Sequence, residues 1–145
     1  MRDIYLRFTK KLDSIQWLCL MLLRLVLAFG FYGAAVEKIK NFSTVVKWFE
    51  SLDIPLATLM TILVIVIEMA GVFALMLGLF TRIASIPLMG IMCVAIFSVH
   101  WKYGFSATNR GFEIPLYYLC MLFTLFAFGP GRLSLDTWIK KKYLT

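Results

Sequence analysis

The sequence predicts an all-α fold, an integral membrane antiparallel four-helix bundle, and three observations carry that prediction. Of 145 residues, 61% are hydrophobic and only 16% charged, which leaves too little polar surface to coat a water-soluble globule. Four apolar runs, at about 15–36, 56–80, 83–99 and 114–128, are separated by polar or glycine-bearing connections. At roughly 1.5 Å per residue, the longer runs match a hydrocarbon layer of about 30 Å. Third, Arg24 and Glu68 stand alone near the middle of their runs, where a charge is expected to face a bundle interior and a partner. The whole of 1–145 is expected to form one domain.

Taken in order, residues 2–14 place Ile4, Phe8 and Leu12 at helical spacing, with Arg7 and Lys11 elsewhere on the wheel. That pattern suits a short amphipathic segment at headgroup level. The run behind it is longer than a signal core and contains Arg24, so it reads as a retained first span. Gly30, Gly33, Ala34 and Ala35 offer a second helix close approach. Residues 37–55 are too polar to cross, but Val45, Val46, Trp48, Phe49 and Leu52 make one apolar stripe. They predict a membrane-hugging helix over 42–52, anchored at the interface by Trp48. Pro55 suits the first turn of span 2, where its missing N–H costs nothing. Thr81–Arg82 is a minimal turn into span 3, in which Pro87 and Gly90 predict bending. A second polar connection, 100–113, leads to the short span 4, which GPG at 129–131 stops. Ser134 or Asp136 can then cap whatever helix follows.

The formal charge is +7, but the basic residues sit at span ends and in the tails, where membrane lipid headgroups account for them without nucleic acid. Nine lie on one side (Arg2, Arg7, Lys10, Lys11, Arg82, Arg132 and Lys140, Lys141, Lys142) and five on the other (Lys38, Lys40, Lys47, Lys102, Arg110). The positive-inside bias therefore places both termini in the cytoplasm, the chain lying in a prokaryotic inner membrane. Cys19, Cys93 and Cys120 show no redox or metal-ligand spacing and read as small buried thiols. With His100 as the only histidine and no CxxCH, bis-histidine haem ligation within one chain is excluded. Nothing matches a Walker loop, a dinucleotide fingerprint or a hydrolytic triad.

Helical rise puts Arg24 roughly 14 Å into span 1 and Glu68 roughly 18 Å into the returning span 2, within a turn of the same depth. They are expected to form a membrane-core pair. Glu113, opening span 4, is a second candidate partner for Lys38 on the outer side.

The runs RLVLAFGFYGAAVEKI (24–39), E…G…LGLFTR (68–82), GFE (111–113) and GPGRLSLD (129–136) together resemble the DoxX family of small four-span membrane proteins. The resemblance covers nearly the whole chain and marks Arg24, Gly33, Lys38, Glu68, Gly71, Gly78, Thr81, Arg82, Glu113, Gly129, Gly131, Ser134 and Asp136 as motif positions. It implies a role in membrane-linked redox or sulfur chemistry, since some relatives are associated with quinone-coupled thiosulfate oxidation and others with rhodanese-like or superoxide-handling partners. Many members carry a histidine just before the glycine matching Gly33. This chain has Tyr32 there, which weakens any histidine-bound cofactor at that place.

Two readings of the polar residues stand open. A quinone is the ligand class that Arg24 and Glu68 would take together with Tyr32 or His100 toward the outer end, where Tyr32, Lys38, His100 and Glu113 are the candidates for an outer-side polar site. Alternatively, Arg24 and Glu68 hold two spans in register within a non-catalytic scaffold that assembles such a complex. Thr81, Arg82, Arg132, Ser134 and Asp136 form a cytoplasmic motif, either a helix stop and cap or a docking patch for a soluble redox or sulfur-transfer protein.

Overall fold

A computed structural model describes residues 12–143. The expected amphipathic segment at 2–14 falls almost entirely outside these residues, as do both chain ends. The chain forms α1 (Gln16–Lys40), α2 (Phe42–Glu50), α3 (Ala57–Leu77), α4 (Thr81–Val94), α5 (Glu113–Phe128) and α6 (Leu135–Tyr143). The described residues contain no strand. Helices α1, α3, α4 and α5 make the antiparallel four-helix bundle, α1 packing chiefly on α3 and α4 on α5. Three helices, the third taken as Thr81–Tyr103, are long and apolar enough to cross a membrane. Helix α5, at 16 residues, reaches only about 24 Å.

The interior is an apolar layer of Leu27, Ala28, Phe31, Val72, Leu75, Leu88, Leu122 and Leu125. Around it the surface is greasy: Phe29, Val66, Phe97 and Phe123 are more than half exposed, the outward-facing side chains of a bundle whose solvent is lipid. Cys19 and Cys120 belong to that surface. The expectation of buried thiols fails for them because in lipid an outward small side chain carries no penalty for being apolar.

Boundaries shift in ways local chemistry explains. Helix α1 runs one turn beyond the expected end, to Lys40, because Lys38 folds back along the helix and need not leave it. Pro55 lies before the helix rather than in its first turn; Leu56, left-handed at φ 53°, is the residue flanking Ala57. Helix α4 contains Pro87, but its hydrogen-bond pattern changes later, widening to a π-helical turn at Ala95–His100 and tightening to 3-10 at Trp101–Tyr103. Helix α2 forms as expected. Phe49 is buried against the bundle, and Trp48 stays outside at 43% exposure, the position of an interfacial anchor.

Candidate functional site

The expected Arg24–Glu68 pair does not form. Glu68, 1% exposed, is held by Lys38, whose Nζ donates to Oε1 at 2.9 Å and Oε2 at 3.0 Å. The same Nζ lies 3.4 Å from the carbonyl of Ala34, one turn back along α1. Arg24 donates instead through Nη1 to the carbonyl of Pro130 at 2.9 Å and through Nη2 to that of Leu133 at 2.8 Å. Its guanidinium rests against Gly78, where a Cβ would collide with it. Gly78 stands ten residues along α3 from Glu68, roughly 15 Å by helical rise.

Side-chain direction explains the correction. Cα–Cβ bonds tilt toward a helix's N-terminus. On α1 this sends Arg24 toward the end where α1 starts and α6 lies, the termini end, and sends Lys38 back into the bundle. On the antiparallel α3 it sends Glu68 toward the loop end, where it meets Lys38. Equal backbone depth therefore becomes unequal charge depth.

The bundle thus carries a polar cluster at each end. At the termini end, the segment 129–136 closes a knot over the α3–α4 turn. Asp136 Oδ1 accepts from Phe80 N–H at 2.7 Å and Oδ2 from Thr81 N–H at 3.2 Å, while its own N–H donates to the carbonyl of Gly78 at 3.1 Å. The carboxylate also attracts the Arg24 guanidinium. Asp136 thereby caps α4 rather than α6 and stabilises Phe80 in the left-handed region at φ 49°. That conformation costs a non-glycine residue roughly 1–2 kcal/mol, which two charge-assisted bonds offset. Ser134 takes the local task, accepting from Thr137 N–H at 3.2 Å as the cap of α6. Arg82 donates to the carbonyl of Ala127 at 3.1 Å, tying α4 to the end of α5. Of the expected cytoplasmic motif, Asp136 accepts from Thr81 N–H and lines one cleft with Arg82 and Arg132, while Ser134 caps α6. Among the described residues, Arg24 Nε and Thr81 Oγ1 are the buried side-chain polar atoms left without a partner.

At the loop end the expected outer site does not assemble. Lys38 serves Glu68, and the Lys38–Glu113 pairing gives way to a local turn. Glu113 accepts from Ala107 N–H and Tyr117 O–H, both at 2.8 Å. His100 Nδ1 donates to the carbonyl of Arg110, closing the 100–113 connection on itself. Trp101 stacks on Phe112, with ring centroids 5.4 Å apart. Tyr32, half exposed, lines a separate lateral groove of about 760 Å³ with Leu25, Val26, Ala28, Phe29, Gly30, Met76 and Tyr118.

Sequence reasoning missed Lys38 as the partner of Glu68 and the 129–136 turn as the acceptor of Arg24. A signal for the first was present: Lys38 follows the first apolar run by only two residues, within reach of a side chain pointing back into the bundle.

Fold and clusters define a multi-span α-helical membrane protein with a buried ion pair and a terminal cap. The family model for DoxX matches residues 19–101, more than half of the chain, and the chain belongs to the DoxX family, a family of small membrane proteins. The match ends before Glu113 and the 129–136 segment. An uncharacterized protein of Haemophilus influenzae is 38% identical over 78 residues, covering 54% of this chain and 52% of the relative; the match thus spans about half of that protein's length. No solved structure matches the chain.

Proposed function

We propose that this chain is a non-catalytic membrane subunit that anchors or assembles a redox or sulfur-metabolism complex. One observation carries the reading: the two charges buried at either end are bonded within the chain, and Leu27, Phe31, Val72 and Leu75 fill the interior between them. Each charge thus supports the bundle, leaving the loops and helix faces as the surface offered to a soluble redox or sulfur-transfer partner. On the same reading the membrane is a prokaryotic inner membrane, with the start of α1 and the whole of α6 on its cytoplasmic side.

A second reading rests on the lateral groove. Its size lies within the range of small-molecule sites, its wall is apolar, and the phenols of Tyr32 and Tyr118 are the donors a quinone carbonyl needs. Affinity purification in mild detergent, with identification of co-eluting proteins and their cofactors, separates the two. The scaffold reading expects a redox or sulfur-transfer protein to co-elute with the wild type and with a Y32F/Y118F variant alike. If the chain alone, in vesicles, binds a short-chain quinone and Y32F/Y118F abolishes binding, the second reading replaces it.

A further inference from the structure

Just outside the knot, a cleft of about 610 Å³ opens between the start of α4, the end of α5 and α6. Among the described residues, three cations line it, Arg82, Arg132 and Lys140, against one carboxylate, Asp136. Asp136 accepts from the N–H groups of Phe80 and Thr81, so part of its charge is already offset by those donors and the cations outnumber it. Arg82 uses one N–H on the carbonyl of Ala127, leaving the rest of its five-donor fork. The cleft's other border is apolar: Phe80, Ile83 and Phe128 are 62%, 65% and 73% exposed. They stand at the ends of membrane-crossing helices, facing what would be acyl chains. A cationic shelf directly above an outward apolar wall is complementary to one molecule that has both parts.

We propose that this cleft binds the headgroup of an anionic phospholipid, Arg82, Arg132 and Lys140 holding the phosphate while the acyl chains descend past Phe80, Ile83 and Phe128. A basic pocket between helix ends at the membrane surface draws anionic headgroups by charge, and a guanidinium matches two phosphate oxygens at once. The site is independent of any redox partner.

Native mass spectrometry of the detergent-purified chain, exchanged into mixed phosphatidylglycerol and phosphatidylcholine, tests this directly. The wild type is expected to retain phosphatidylglycerol in preference to phosphatidylcholine. R132Q/K140Q should lose that preference by roughly 10- to 30-fold, the equivalent of about 1 kcal/mol per cation, with its circular dichroism and melting temperature unchanged. K47Q, at the opposite end of the bundle, should behave as the wild type. Should the double variant fold poorly, R132Q alone is read and should lose roughly five-fold. Equal retention of both lipids by the wild type overturns the proposal, as does the same loss in K47Q. Displacement of the lipid by millimolar inorganic phosphate would make the cleft a free-phosphate site and also overturn it. So would a double variant that keeps its lipid but loses a co-eluting protein, which would make the cleft a protein-docking surface.

Discussion

The two ends of the bundle handle a buried charge differently. At the loop end Lys38 meets Glu68, one side chain neutralising another across two spans. At the termini end Arg24 is received by backbone carbonyls of a non-helical turn, with Asp136 nearby as counter-charge. An ion pair can dissolve into two neutral side chains. A cation that satisfies carbonyls cannot be removed without orphaning them. The loop-end pair is therefore replaceable, and the termini-end knot is structural in a stricter sense.

The largest effect should come from R24L. It strands the carbonyls of Pro130 and Leu133 beside Asp136, and should cost about 3–5 kcal/mol, the range for breaking a buried charge network. Size-exclusion profiles in detergent would show loss of the monodisperse peak. R24K should recover only part, since an ammonium lacks the guanidinium fork. A fully stable R24L would erase the distinction between the two ends.

Next comes the loop end, where the partners should be unequal. K38M leaves Glu68 buried without compensation and should cost about 3 kcal/mol. E68Q costs less, because Lys38, with its side chain 21% exposed, can turn outward. The double K38M/E68Q should regain most of the loss in a thermal-shift assay. If the double were worse than K38M alone, the pair would be as irreplaceable as the knot.

A smaller effect separates cap from strain within the knot. D136A should cost about 1–2 kcal/mol through the lost caps at Phe80 and Thr81. Adding F80G should return about 1 kcal/mol, because glycine adopts a positive φ without penalty. Absence of any rescue would mean that Asp136 acts on Arg24 rather than on the turn.

The smallest change expected is a gain. Gly33 faces open space, whereas a Cβ on Gly71 would press on Leu88 at 2.7 Å. G33A should therefore raise stability by about 0.5–1 kcal/mol, while G71A lowers the melting temperature. A destabilised G33A would point to a helix covering that face in the membrane.

The bundle was legible in the sequence because run length and hydropathy act through the backbone, and a bilayer permits few backbone solutions. The pairing was not, because depth counted along Cα positions ignores a lysine or arginine reach comparable to a helical turn. Lys38, expected at the outer side as a partner for Glu113, is the counter-ion of Glu68. The GPGRLSLD segment was legible as a stop and a cap, with Ser134 capping α6 as its spacing suggested. That Asp136 reaches back 55 residues to Thr81 leaves no local trace, since only the folded topology brings them together.

That reach fixes an order of events during synthesis. Before residues 130–136 exist, the N–H groups of Phe80 and Thr81 lack the Asp136 carboxylate and Arg24 lacks the carbonyls of Pro130 and Leu133. Both are settled only after residues 130–136 leave the ribosome. A chain truncated before Pro130 lacks both latches and is expected to melt at a lower temperature than the full chain in a thermal-shift assay.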